Sequence, residues 1–426
     1  MSKDKAEFDV FKGLLNNSQK NTLSSEILLE AVRERCVAEL GTASQVYVLH
    51  DRCDIRKPYS TDMEGLGKVM SLQKQVVDGY DTFNSFAVDV ATQKVVALSH
   101  EMYSNRLDHY VSQEHLGLIE NNVEKGKELL DSKGKIISTS KQEIVAGGVH
   151  INSVIIAKKH IKASSETLKK ANASVDICHI LDREYDNEAI FEHIDTLADT
   201  FVIRLKLNRL SNEQKVVYTK TGKVSKQIKY SKLVDKTFAN QCAFSQNNVR
   251  YFGKVYDQLD YKIDFEPLIM SGKTYHVVRI GVQSKGENIF NEPMLLITNE
   301  VITNLSQALA VYKRYLLRFK IEVVFRFLKQ HLGWETFQIR DFASIANLLS
   351  LVFFLVGYFK ELEEDLKKHP LCAFICGLAL SKGKITLYFL LEGIKKIIHY
   401  QEVAKWMEEE NITPEQLKEL IKQAKI

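Results

Sequence analysis

Four residues in the last third of the chain have the types and spacing to meet a phosphodiester: Tyr315, Arg318, Glu322 and Lys329. Their spacings are three, four and seven residues. At about 100° per residue on an α-helix they fall at roughly 0°, 300°, 340° and 320°, within a ~60° arc. The carboxylate on that face can hold a divalent metal ion. Arg clamps phosphates through its planar fork and Lys does so as a point charge. Arg318 and Glu322 on their own would read as an ordinary solvated helix pair, contributing roughly 0.2–0.5 kcal/mol. Partners elsewhere in the chain decide between the two readings.

Two aspartates supply such partners. The strand-like runs YVLH and CHIL end at Asp51 and Asp182, and an arginine follows each (Arg52, Arg183). Side chains just past strand ends project where functional sites in mixed sheets are built. If the two strands are neighbours, a helix packed beside them brings Glu322 to both and makes a three-carboxylate cluster. Hard cations such as Mg²⁺ require oxygen ligands. Two of them about 4 Å apart activate an attacking oxygen and stabilise a leaving oxygen. Without a cation, three crowded carboxylates repel and raise one another's pKa. Asp54 is a rival to Asp51, although it reads more simply as a turn residue. Asp186 reads as a helix cap.

The elements that must position these residues follow from periodicity. SSEILLEAVRERCVAEL is a helix, and QVYVLH (45–50) is a strand. NSFAVDV and KVVALSH form a hairpin across Ala91, Thr92 and Gln93, so three antiparallel strands are expected. Residues 111–172 read as mostly helical. VDICHIL (175–181) is a buried strand, a helix starts near Asn187, and TFVIRLKLN (200–208) is another strand. Short β-like runs fill 209–293, and MLLIT (294–298) returns to the main sheet. One long helix is expected from about Asn304 to His331, and the remainder is helical. The class is α/β: a mixed sheet flanked by helices, a mostly β insertion, and a helical C-terminus.

Composition limits the alternatives. There are 58 Lys and Arg against 54 Asp and Glu, a net charge of +4, so this is no polycation. Basic residues that meet nucleic acid must be concentrated on particular surfaces. Lys3, Lys5, Lys12 and Lys20 read as a solvated tail. Six scattered cysteines form no CxxC pair and suit a reducing cytosol. Ile345 to Phe359 is shorter than the ~20 residues of a membrane span and reads as a core helix. No secretory signal, HExxH, GxSxG or P-loop is present, so secretion, zinc-protease, serine-hydrolase and ATP chemistry are not expected. His50 reads as a core histidine before it reads as a site residue.

With these residues in place a family emerges. Tyr315-x2-Arg318-x3-Glu322-x6-Lys329 resembles the Tyr-Arg-Glu-Lys motif of bacterial insertion-sequence transposases with a DDE triad. Asp182-Arg183-Glu184-Tyr185-Asp186 resembles the family's second-aspartate motif, and HDRCDIRKPYSTDMEGLG, from His50, its first. The family has Asp-x-Ser/Thr there and this chain has Asp51-Arg52-Cys53. The resemblance covers roughly residues 45–360. It implies an RNase H-like core, with Asp51, Asp182 and Glu322 catalytic and holding two Mg²⁺ ions, Mn²⁺ being the substitute.

It also implies cut-and-paste transposition. Water attacks at the element end, and the freed 3′-OH then attacks the other strand to form a hairpin and later the target DNA. Tyr315, Arg318, Lys329, Arg183, Arg204 and Lys206 would contact DNA. Relatives stack a flipped base on a tryptophan just before the returning strand, where this chain has Met294, with Phe290 nearby. The implied partners are double-stranded DNA (terminal inverted repeats and target) and a second copy in a homodimer. The implied location is the cytoplasm, on the nucleoid, with no membrane.

The expected divisions are 1–43, a short helical segment; 44–208, the first part of the core; 209–293, the β-rich insertion; 294–360, the second part with the catalytic helix; and 361–426, a helical region. A structure-selective RNase H-like nuclease without strand transfer, and a DNA-binding relic, are the alternatives. The joint presence of Asp51, Asp182 and Glu322 argues against the relic.

Overall fold

The structure, a computed structural model, describes residues 24–423 apart from 61, 71–72, 74, 105–128, 131–135, 139–152, 219–223, 253, 368–369, 382 and 384–386. The tail lysines Lys3, Lys5, Lys12 and Lys20 lie outside these residues. Helix α1 (Ser25–Leu40) opens on Ser24, whose side chain accepts the Ile27 backbone N–H, as a Ser N-cap does. Then come β1 (Gln45–Arg56), β2 (Gly67–Met70), β3 (Val76–Asp89) and β4 (Val95–Tyr103). β3 pairs antiparallel with β1, β2 and β4, so the expected antiparallel strands form. β1 does not end at Asp51: its ladder with β3 continues to Arg56 opposite Gly79, and that pairing keeps the chain extended. A Cβ on Gly79 would sit 2.2 Å from the Ile55 carbonyl oxygen, so only glycine allows this approach.

Within the segment read as helical, a short pair β5 (Leu129–Leu130) and β6 (Ile136–Ser138) precedes α2 (Ser153–Ala171). The rest of that segment lies outside the described residues. β7 (Asp176–Leu181) leads into a 3₁₀ turn (Arg183–Tyr185), α3 (Glu188–Thr196) and β8 (Thr200–Arg204). Asn187, not Asp186, caps α3. Asp186 instead accepts the Lys206 backbone N–H at 2.8 Å and pairs with Arg209.

β9 (Leu210–Tyr218) and β10 (Val224–Lys232) form a separate hairpin. β11 (Asn240–Tyr251), β12 (Lys254–Met270), β13 (Lys273–Ser284) with the short β14 (Glu287–Asn288), and β15 (Met294–Thr298) widen the main sheet. Its order is β11-β12-β13-β15-β8-β7-β1-β3-β2, with β4 also on β3. β1, β7 and β8 run parallel, and β15 returns antiparallel to β8. This mixed sheet, covered by helices, is of the RNase H-like class.

The single long helix expected over 304–331 is two helices, α4 (Leu305–Leu316) and α5 (Phe319–His331). Around the break the N–H groups of Leu317, Arg318, Lys320 and Ile321 each bond three residues back, which tightens the turn. α6 (Phe342–Lys367), α7 (Pro370–Leu378), α8 (Leu387–Glu409) and α9 (Pro414–Gln423) complete the chain. Ile345, Leu349 and Phe353 of α6 are buried in the core. Among the described residues no helix is long and apolar enough to cross a membrane.

Strand alternation decides what each face meets. Leu49 of β1, Ile180 of β7 and Val202 of β8 pack with Tyr315, Ile321, Leu328 and Phe353, on the side of α4 to α6. Leu181, Phe201 and Ile203 pack with Ile156, Ile161 and Phe191, on the side of α2 and α3. Asp51 shares Leu49's parity and Asp182 shares that of Ile180. Both therefore face α4 and α5, while His50 and His179 face the other layer.

Candidate active site

The register of the parallel ladder places the two aspartates side by side. Leu49 is level with Ile180, and two residues further on come Asp51 and Asp182. Across from them, Arg318 stands at the break between α4 and α5, and Glu322 lies in the first turn of α5. The Arg318 guanidinium reaches all three carboxylates: 3.4 Å to Asp51, 3.1 Å to Asp182 and 2.8 Å to Glu322. It is buried, and its Nε has no hydrogen-bond partner. Three carboxylates from three separate elements thus converge on one cation. They open into a cleft of about 410 Å³, lined also by Arg52, Asp54, Phe325 and Lys329.

The electrostatics follow from this crowding. Burial pushes the Asp51 carboxyl up to about 7; Arg318 opposes the rise, and Asp182 and Glu322 add to it. For Asp182 burial also acts upward, but Arg318, the Arg183 backbone N–H, the Tyr315 hydroxyl and Arg204 outweigh it and hold the carboxyl below its usual range. The Tyr315 hydroxyl is buried and donates to Asp182 at 3.0 Å. Tyr315 therefore aims Asp182, and in this state it reaches no external phosphate. Tyr315→Phe is expected to lower unfolding stability by roughly 1.5 kcal/mol, a charge-assisted hydrogen bond's contribution. Denaturant melts of the two proteins that coincide would show that the bond contributes nothing.

The stripe's fourth member, Lys329, donates to the Asp54 carbonyl at 2.5 Å and to Glu335 at 3.0 Å. It ties the end of β1 to α5 beside the cleft. Asp54 lies on the opposite parity from Asp51, with its side chain 3.2 Å from Arg52. Of the two rivals, Asp51 is the one that shares Arg318 with Asp182 and Glu322.

A second array was not anticipated. Arg52 lies 2.9 Å from Glu184, 3.2 Å from Asp54 and 3.4 Å from Asp81. Burial pushes Asp81 up despite Arg52. The signal for Glu184 stood in the run Asp182-Arg183-Glu184. Asp81 becomes visible only through the β1–β3 register, where it lies opposite Asp54.

The other expected contact residues divide by exposure. Arg183 and Lys206 are exposed, and Arg204 is half-buried at the end of β8. Met294 begins β15 opposite Ile280 and is only 6% exposed, packed in the core. At the turn between β11 and β12 an aromatic group is open to solvent. Phe252, 47% exposed and with φ +47°, sets its ring edge-on to Phe319 at 4.5 Å and to Phe290 at 5.6 Å. Phe319 directly follows Arg318. The hairpin tip is anchored by a buried hydrogen bond between the Tyr251 and Tyr312 hydroxyls, and is flanked by exposed Arg250 and Lys254. His50 is fully buried and bonds Ser85 at 2.8 Å and His179 at 2.9 Å, as a core residue would.

Among the described residues no three His, Cys, Asp or Glu side chains are gathered closely enough to hold a metal ion as they stand. Asp51, Asp182 and Glu322 still offer the all-oxygen donors that a hard cation takes. A guanidinium already stands where their charges meet. The donor set therefore fits a cation.

Residues 152–356 match the family model of the transposase DDE domain. The match supports a DDE transposase, a family that acts on DNA and typically uses a divalent metal. The matched segment runs from just before α2 into α6. It takes in Asp182, Arg318 and Glu322 and leaves Asp51 outside. No curated protein matches the chain.

Proposed function

We propose that this chain is an insertion-sequence transposase that cuts DNA at the ends of its element and joins them to target DNA. The observation that carries the reading is the convergence of Asp51, Asp182 and Glu322 on Arg318, with Asp182 and Glu322 inside the matched domain. Those three carboxylates would hold a divalent pair, Mg²⁺ or Mn²⁺, which when bound supplies Lewis-acid activation of the attacking oxygen and stabilises the leaving oxygen. Tyr315 holds Asp182 in place through its hydroxyl. Arg183 and Lys206 are exposed and suit phosphate contacts; Lys329 lines the cleft, and Arg204 acts electrostatically on Asp182. Phosphate contacts of this kind set position and carry no sequence information.

The base contact first read at Met294 is better served by Phe252 and Phe290, since an exposed ring can stack on an unpaired base and a buried thioether cannot. In this reading 44–208 and 294–360 form the catalytic core, 209–293 the insertion, and 1–43 and 361–426 the flanking regions. Exposed Leu371, Phe374, Ile398 and Trp406 on the C-terminal helices support a homodimer.

The test is a labelled duplex carrying the flanking element end, incubated with the protein, Mg²⁺ and a target plasmid. The expected result is nicking at the element boundary followed by joining to the plasmid. Nicking without joining would replace this reading by a structure-selective nuclease. Binding without nicking would leave only a DNA-binding relic.

A further inference from the structure

Resting on that transposase reading, we infer that Arg318 is a resident counter-cation that keeps Asp51, Asp182 and Glu322 closed to divalent metal until a DNA phosphate draws its guanidinium away. One terminal nitrogen of Arg318 serves both Asp51 and Asp182, and the other serves Glu322. Mg²⁺ binds carboxylate oxygens at about 2.1 Å. An ion bridging these carboxylates needs the volume that the guanidinium fills, and it repels a cation left beside it. Metal and Arg318 in its present position therefore exclude each other.

Two further features mark this as a position the arginine can leave. Its Nε is buried with no partner, so the side chain is not fully satisfied where it lies. A phosphate offers a guanidinium two parallel acceptors. Arg318 also stands at the tightened turn between α4 and α5, and rotation about its side-chain torsions re-aims the guanidinium with both helices left in place. The cleft is open on the Glu322 side, whose carboxylate is 45% exposed against 9% for Arg318. A phosphodiester entering there meets the arginine with its metal ligands behind it. Metal loading and DNA binding are then coupled, and by linkage each tightens the other by the same factor.

The test is calorimetric titration of Mn²⁺ into the full-length protein, alone and with a duplex bearing the element end already cut at its boundary. Arg318→Gln without DNA is expected to bind Mn²⁺ roughly tenfold more tightly than wild type. Arg318→Lys, whose single ammonium cannot bridge all three carboxylates, is expected to fall between them. The pre-cut duplex should tighten Mn²⁺ binding to wild type by a similar factor and leave Arg318→Gln little changed. Thermal melts check folding, and the lysine variant carries the test if the glutamine variant does not fold. Equal or weaker Mn²⁺ binding by the folded variant overturns the inference, as does a wild-type affinity indifferent to the duplex. A wild type that neither cuts nor joins overturns the transposase reading instead, so the two failures are separable.

Discussion

Glu322→Gln is expected to slow metal-dependent nicking of the element end by roughly 10³-fold or more while leaving stability within about 1 kcal/mol of wild type. The two halves of this expectation have different causes. Glu322 is half exposed, and its ion-pair partner is Arg318 at 2.8 Å. A glutamine amide oxygen can still accept that hydrogen bond. Arg318 also keeps Asp51 and Asp182, so no buried charge is left unpaired. What is lost is the negative charge, one of three that in the proposed reading would hold the cations needed for cleavage. Asp182→Asn differs, because Asp182 also accepts the Tyr315 hydroxyl and is more buried beside Arg318 than Glu322 is. Single-turnover nicking beside thermal unfolding reads both effects. Nicking that survives in the glutamine variant would remove Glu322 from the chemistry.

Much of this arrangement was legible in the sequence where local pattern and tertiary structure agree. CHIL followed by Asp182 reads as a strand with an acid past its end, and β7 stops at Leu181. The hairpin across Ala91 to Gln93 and the returning strand from Met294 were legible for the same reason. Asp51 was legible as an acid but not as a mid-strand residue. YVLH is apolar on both faces, so period-two alternation gave no sign of which face Asp51 takes or where pairing with β3 stops.

The break between α4 and α5 carries no Gly or Pro. It arises where Arg318 is drawn into a carboxylate cluster assembled from two distant strands, and a helical wheel cannot contain that. The wheel grouped Tyr315, Arg318, Glu322 and Lys329 as one outward stripe. The fold buries Tyr315 and Arg318 as internal ligands of the aspartates and leaves Glu322 facing the cleft. Arg52 with Asp81, and Phe252 with Phe319, depend on strand register and on a hairpin tip folding back over a helix. Both relations span too much sequence for spacing to reveal.

Acid is expected to expose a different debt of the fold, through His100. This imidazole is fully buried, with Nδ1 bonded to Asn84 at 2.8 Å and Nε2 without a partner. Phe353 stacks on it at 5.1 Å, and Trp334 meets it edge-on at 5.6 Å. Burial lowers its pKa from 6.5 to about 3; His160 adds to the fall and Glu101 opposes it. The folded value lies below the unfolded one, so the unfolded chain binds the extra proton. Stability from neutral His100 is therefore full above pH 6.5 and is lost as pH falls toward 3.

Between pH 7 and pH 5 the loss is about 2 kcal/mol. Asp51, with its carboxyl raised to about 7, acts with the opposite sign in the same window, so the wild-type profile alone mixes the two. The difference between wild type and His100→Gln isolates the histidine. The variant should be less stable at pH 7 through lost packing, and the gap should narrow by about 2 kcal/mol at pH 5. Urea unfolding at the two pH values measures it. A gap that stays constant would mean that His100 takes up its proton in the folded protein as readily as in the unfolded chain, which a ring sealed between Phe353 and Trp334 should not do.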